Sequence, residues 1–322
     1  MQEVHAISQA DWQEARLAYP SRTLHNDPLF TQALTDVYGH RSVFLALKRG
    51  SRIAGLVHLL LAGRGVTVAC SPLPRVWARP AWMLDPEERA ADWVGPVAVA
   101  AREIGADILS YYTYDDRDAG FKRLHTVEVT IDAEPEALAA RIHPRQRRHL
   151  KRAEKAGVTV REMRGAEVST LFCEMYESTW QRGGRARLLR THHRASYFAR
   201  LLTLPSTVVL VASVGTSAVA ATIVTGDQRA VYYQHNASFP SARSCSANHR
   251  LFWEVIVYAH RTGRQAFDVG GVPAEPPPEH FKLGWGHTKH VSFSWHLYPL
   301  TAGGRICAGA ASWLRPFLVP QS

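Results

Sequence analysis

The chain is poor in the segments that would carry it into or across a membrane. Its best apolar stretch, IAGLVHLLLAG, is about half the ~20 residues a spanning helix needs. The opening residues, MQEVHAISQADW, offer neither a basic start nor an apolar run before a small-residue cleavage site, so a cytoplasmic protein is expected. Cysteine is scarce as well. Cys70, Cys173, Cys245 and Cys307 are scattered without a C-x-x-C pair, which argues against a disulfide framework and predicts reduced, mostly buried thiols. P-loop, H-E-x-x-H, G-x-S-x-G and dinucleotide fingerprints are all missing, and the enzyme classes they mark lose their support. The sixteen histidines do not restore a metal hypothesis. Their densest group, His280, His287 and His290, has no ligand spacing and no cysteine or acid pair to complete a set, so no metal is expected.

Acidic residues are also in deficit. Against 38 Lys and Arg stand 28 Asp and Glu, a net charge of +10. The imbalance is concentrated. From Arg141 to Lys155 seven cations (141, 145, 147, 148, 151, 152 and 155) face one acid, Glu154, so +6 of the +10 lies in HPRQRRHLKRAEKAG and the two residues before it. Pro144 suits the first position of a helix. On that helix Arg145, Arg148, Arg152 and Lys155 share one face, while Leu150 and Ala153 face away. Taken alone, such a stripe is an ordinary solvated face. Its focus also fits an electrostatic footprint for phosphates.

What is present besides charge is ample material for a core. Apolar residues make up 46% of the 322-residue chain and there are nine Trp, so the protein is folded and long enough for two domains. The first half reads helix (DPLFTQALTDVYG), a hairpin of SVFLALKRG and SRIAGLVHLLLAG joined at Gly50 and Ser51, a helix from Asp85 to about Gly105, then strands at DILSYYTY and HTVEVTI. The second half repeats that order. Helices fit GAEVSTLFCEMYESTWQRGG and HHRASYFARLLTL, a hairpin fits TVVLVASVG with SAVAATIVTG, and AVYYQHNAS is a strand; then come a helix, ANHRLFWEVIVYAHRTG, closed by Gly263, and a strand, QAFDVGG. Two copies of one α/β unit are the simplest account.

Two local patterns suggest chemistry. FDVGGV places Asp268 in an apolar strand ahead of Gly270 and Gly271, glycines that permit close approach of a ligand, and EHFKLGWGH follows with Phe281 and Lys282. The bland alternatives are a carboxylate capping backbone amides and one more surface lysine. SARSCSANHR leads into a helix near Asn248, where unpaired amides favour an anion. An ordinary N-cap by Ser246 or Asn248 explains it equally well.

In order, PRQRRHLKRAEKAGV, MYESTWQRGG with Thr179 and Arg182, SANHRLFWEVIVYAHRTG, AFDVGGV and FKLGWG resemble the Fem family of aminoacyl-tRNA-dependent transferases and their acyltransferase relatives. The resemblance spans about 150 residues of the second half. It implies an α/β fold of two GNAT-like domains, each a mixed, mostly antiparallel sheet flanked by helices: residues 1–140, with 301–322 packing back on them, and a donor-binding, catalytic domain over residues 141–300. It further implies transfer of an aminoacyl group from aminoacyl-tRNA, a co-substrate rather than a cofactor, to the amine of a peptide, peptidoglycan-precursor or natural-product acceptor. On this reading Lys282, with Phe281 as wall and Asp268 assisting, is catalytic. Arg145, Arg148, Lys151, Arg152, Arg182 and Asn248 hold the donor, and Tyr176, Thr179, Tyr233, His235, Gly270 and Gly271 line the substrate pocket. A monomer is expected, with an acceptor pocket lined partly by the Pro/Trp loop at 71–82.

Two alternatives stand beside it. Acyl-CoA or an acyl carrier could be the donor, although SARSCSANH lacks the Arg/Gln-x-x-Gly-x-Gly/Ala loop that grips the pyrophosphate in GNAT enzymes. A non-enzymatic RNA-binding protein would explain the charge alone. No long coiled-coil insertion fits between residues 165 and 205, which leaves the acceptor open.

Overall fold

The computed structural model describes residues 2–19, 23–63, 65–71, 80–114, 122–165, 168–182, 195–276 and 280–309. They fall into two units: Met1–Leu124 with Ser292–Ser322, and His125–Val291. Both divisions lie earlier in the chain than the 140/141 and 300/301 boundaries expected from sequence. The reason is pairing and packing. Residues 126–130 register with the Asp268 strand, and Leu138 and Ile142 join the same core as the helix that carries Phe252.

The first unit contains β1 (Gln2–Ile7), α1 (Gln9–Arg16), α2 (Pro28–Tyr38), β2 (Arg41–Arg49), β3 (Arg52–Ala62), β4 (Val68–Ser71), β5 (Met83–Leu84), α3 (Ala90–Glu103) and β6 (Ile108–Thr113). The chain passes into the second unit within β7 (Lys122–Thr130) and returns within β13 (Thr288–Pro299), before α9 (Ala302–Gly309). Local chemistry explains several boundaries. Asp27 accepts from the Leu29 amide, Pro28 opens α2, and Gly39 at φ 68° closes it. Gly50, at φ 65°, makes the β2–β3 turn. α3 starts at Ala90 rather than Asp85 because the preceding acids are engaged elsewhere: Glu88 binds Arg49 at 2.8 Å and accepts from Trp93 Nε1 at 3.0 Å, and Asp85 pairs with Arg52 at 2.8 Å.

Within this unit β1, β2, β3 and β4 run antiparallel to their neighbours, while β4 and β6 are parallel. Residues 294–299 of β13 add antiparallel to β6. The core packs Trp93, Val97 and Ala101 of α3 against Leu45, Val57 and Leu59. α9 is held by Thr301 Oγ1, which donates to Asp107 at 2.8 Å, and by Gly304, where a Cβ would lie 2.1 Å from the Asp107 carbonyl oxygen. Residues 310–322, also expected to pack back here, lie outside the described residues.

The second unit repeats the order, as predicted: β8 (Val158–Met163), α6 (Val168–Arg182), α7 (Ala195–Leu201), β9 (Thr207–Val214), β10 (Ser217–Gly226), β11 (Ala230–Ser238), α8 (Ala247–Arg261) and β12 (Ala266–Val272), preceded by α4 (Pro135–Ala140) and α5 (Pro144–Lys155). Strands β8 to β11 are antiparallel, β11 and β12 are parallel, and β12 is antiparallel to residues 125–130 of β7. Val255, Phe252 and Leu251 of α8 sit on Val208, Leu210 and Val224 of the sheet, with Ala153 of α5 in the same core.

Candidate active site

The site is created where β11 and β12 part. Their parallel pairing runs through only three register pairs, from Ala230 with Ala266 to Tyr232 with Asp268. Both strands are then irregular. Gln234 is an extra residue on β11, between Tyr233 paired to Val224 and His235 paired to Ile223, and β12 gains a residue against β7 between Asp268 and Gly271. Gly270 supplies the bend at φ 74°, a backbone state that glycine adopts at no steric cost. Ligands of open α/β sheets bind at such carboxyl ends of parallel strands, where neighbours diverge.

Asp268 is fully buried. Its Oδ1 accepts from the Gly270 amide at 2.8 Å and from Thr126 Oγ1 at 2.5 Å. The carboxylate therefore fixes the bulge as a local cap, and Thr126 is its partner from a different strand. Lys282 reaches the same place from the loop after β12. Its Nζ donates to the Gly271 carbonyl at 2.9 Å and stands 5.7 Å from the Tyr233 ring centroid. Burial pushes the amine down from 10.5 to about 8, while Asp268 acts in the opposite sense. At neutral pH the group is still mostly an ammonium. Among the described residues its Nζ has one acceptor, the Gly271 carbonyl, which leaves two of its three hydrogens for an incoming oxygen.

Phe281 packs edge-on to Phe252, with ring centroids 5.4 Å apart, and forms part of the wall of the α8 core. His235 sits among Tyr176, Tyr197 and Phe198, and its Nε2 lies 3.2 Å from the Tyr197 hydroxyl. Tyr233 is buried and its phenol is pushed well above its ordinary value by that burial. Thr179 and Arg182 form a latch between α6 and the end of β11: Thr179 Oγ1 accepts from the Ser238 amide at 2.9 Å, and Arg182 Nη2 donates to Ser238 Oγ at 3.1 Å. The structure thus gathers Lys282, Asp268, Gly270, Gly271 and Tyr233 at one point. Thr179 and Arg182 meet at Ser238, and Tyr176 and His235 meet in the aromatic cluster.

The α5 cations form a separate surface. Arg147, Arg148, Lys151, Arg152 and Lys155 are exposed and Arg145 is half-buried, while Gln146 and Ala153 turn inward. Among the described residues none of these six cations forms an ion pair. On the inner side His149 stacks on His249 of α8, with centroids 3.9 Å apart. Burial, then His149 and Arg145, push His249 down to about 4. His149 Nδ1 also lies 3.2 Å from Ser246 Oγ. Ser246 precedes α8 at φ 56°, the one non-glycine with positive φ among the described residues, and its side chain does not cap the helix. Asn248, in the first turn, lies 3.5 Å from Asn236 Nδ2. The anion-favouring amides of that turn are thus left without a serine cap.

Sequence reasoning missed Thr126, Gln146, His149, Gln234 and His249. Only the alternation within HTVEVTI could have shown that Thr126 faces its neighbour strand. Of the loop at 71–82, residues 72–79 lie outside the described residues. Among those described, no group of three or more His, Cys, Asp or Glu is placed to hold a metal.

A parallel pair that opens over a half-buried ammonium, in the same unit as a helix N-terminus without a serine cap, can bind a carbonyl and stabilise negative charge on its oxygen. Residues 140–283 match the family model of the acetyltransferase (GNAT) domain, and the protein is accordingly an acyl-transferring enzyme. No curated protein matches the chain by sequence. Among solved structures, FemX shares 15% identity over 90% of this chain and 96% of its own, with a TM-score of 0.68. A tandem GNAT protein from the clavulanic acid biosynthesis pathway has 12% identity, 94% and 99% coverage, and a TM-score of 0.55. The C-terminal domain of a protein assigned as a lysylphosphatidylglycerol synthetase from Agrobacterium fabrum has 15% identity, 95% and 98% coverage, and a TM-score of 0.56. These likenesses, with the repeated element order, define a tandem GNAT-like fold.

Proposed function

We propose that the protein transfers an aminoacyl group from aminoacyl-tRNA to an amine, acting in the cytoplasm as a monomer. The observation that carries this reading is the row of cations on α5 that form no ion pair among the described residues, in the same unit as the half-buried Lys282 ammonium. A tRNA donor supplies a phosphate backbone for the first and an ester carbonyl for the second. Phosphate contacts position a nucleic acid without reading its sequence.

In the reaction the neutral acceptor amine attacks the ester carbonyl. A C–N bond forms, the carbonyl oxygen gains negative charge, and the two free hydrogens of Lys282 Nζ stabilise it. Collapse breaks the C–O bond to the ribose, and the proton lost by the amine ends on the ribose oxygen. An activated ester needs only positioning and one proton transfer, so a strong dedicated base is unnecessary. Asp268 holds the bulge that presents the Gly271 carbonyl to Lys282. The acceptor class is a peptide, peptidoglycan precursor or small natural-product amine.

The test is incubation of the full chain with charged tRNAs and acceptor amines. Amide product that disappears after RNase treatment of the donor is expected. Product that survives RNase overturns the tRNA reading. Acyl-CoA is the second reading, favoured by the acetyltransferase family model and by the uncapped N-terminus of α8. It gains if acetyl-CoA raises the Tm and tRNA does not.

A further inference from the structure

Gln146 interrupts the cation-rich helix between Arg145 and Arg147, and it is only 4% exposed. Its Nε2 spends both hydrogens on one loop, donating to the Leu283 carbonyl at 2.7 Å and to the Phe281 carbonyl at 3.2 Å. Those are the carbonyls on either side of Lys282. One further hydrogen bond joins the same pieces, and a second braces the loop itself. The His143 amide donates to the Gly284 carbonyl at 2.8 Å, and Trp285 Nε1 donates to the Phe281 carbonyl at 2.6 Å. Gly284 itself has φ +77°, and a Cβ there would lie 2.8 Å from His143 Cβ. The start of α5 and residues 281–285 are therefore one hydrogen-bonded block.

Packing alone does not require an amide at position 146. A leucine would fill a comparable volume on the inner face of α5 beside Ala153 and Leu150, without the cost of burying polar atoms. Gln146 Oε1 does bear such a cost, since it is buried with no hydrogen-bond partner. The two donated bonds distinguish this residue from an ordinary core side chain.

We infer that Gln146 is a positioning residue for Lys282, tying the helix that receives the donor's phosphates to the loop that places the cation at the reacting carbonyl. The inference rests on the roles proposed above for α5 and Lys282. Around the amine stand Asp268 from β12, the Tyr233 ring from β11 and His280 in its own loop. None of them comes from α5, so its hold on Lys282 passes through the backbone of the loop. Without the two bonds the loop loosens, water reaches Nζ, and the desolvation that depresses the amine is relieved.

The test uses the full chain with its lysines reductively methylated with a carbon-13 label and followed by NMR against pH. The Lys282 signal is assigned by its loss in Lys282→Ala. In Gln146→Leu that signal should titrate at least one pH unit higher than in wild type, toward the ordinary lysine range, while circular dichroism and Tm stay native. With charged tRNA, kcat should fall about tenfold, less than the ~100-fold or more of losing an oxyanion donor outright, and the donor KM should stay within about twofold. Superimposable Lys282 titrations in folded wild type and Gln146→Leu overturn the inference, as does a change confined to the donor KM. If Gln146→Leu does not fold, Gln146→Met removes the same two donors from an unbranched side chain and is read in the same way. A shifted titration in a protein that uses no aminoacyl-tRNA retires the donor reading and leaves the positioning role standing.

Discussion

The two units share an element order and use it for different ends. In the first, the parallel pair β4–β6 is followed through four register pairs, up to Ser71 with Tyr111. Tyr111 is stacked between Trp82 and His296, with centroids 5.2 and 4.7 Å away. In the second, pairing stops at Asp268, and two bulges, two glycines and an ammonium follow. Charge sets α5 apart from other arginines in both units. Arg49 and Arg52 are paired with Glu88, Asp85 and Glu87 in the first unit, and Arg229 with Glu128 and Arg250 with Glu254 in the second, whereas among the described residues the α5 cations form no ion pair. Cations neutralised within a unit help hold its fold. Cations left unpaired on one helix face are available to a polyanion.

The sharpest way to break this comparison is at Lys282. Lys282→Ala should lower kcat by about 100- to 1000-fold, the range for loss of one oxyanion donor, while tRNA binding persists. A protein that bound tRNA and showed no dependence of transfer on Lys282 would place chemistry elsewhere. Next in size is charge reversal on α5. Arg148→Glu with Arg152→Glu should raise the KM for charged tRNA by roughly tenfold or more and flatten its salt dependence, with stability unchanged within about 0.5 kcal/mol. Unchanged kinetics would confine α5 to a structural role.

Glu88→Ala tests the first unit. It removes the acceptor of Trp93 Nε1 and of two arginines, and should cost about 1–3 kcal/mol in chemical denaturation, with no change in KM for the folded enzyme. An effect on KM would show that the first unit's charges also serve substrate.

The smallest effect is a pH signature of burial. Lys282 loses affinity for its proton on folding, so the folded state suffers below about 8, where the buried group is charged. The penalty fades as pH rises from about 8 toward 10.5, the unfolded value, because the amine becomes neutral in both states. Lys282→Met should therefore be more stable than wild type at pH 7, and the two Tm values should converge near pH 10. Parallel Tm curves would mean the amine is hydrated.

Much of this was legible from the residues. Asp27, Pro28 and Gly39 mark α2 at both ends, Gly50 marks a hairpin, Gly263 closes α8, and the 3.6-residue spacing of α5 separates its cations from Ala153. FDVGG and FK pointed to the region where the site forms. Other features were invisible for a common reason: they depend on partners distant in sequence. β8 and β13 have no clear alternation to announce them. Thr126 matters only because β7 pairs with β12, 142 residues away in the chain from Thr126 to Asp268. Gln146 looks like one more polar residue in a charged run until the loop 135 residues beyond it supplies its first acceptor.

The local elements, the duplicated order and the concentration of positive charge on one helix follow from neighbouring residues alone, because caps, turns and helical periodicity act over a few residues. Which cations find no ion-pair partner, where the parallel strands part and how far the lysine is desolvated are set by long-range packing. Those properties come from strand register and desolvation, and both are set by groups that the chain brings together only when it folds.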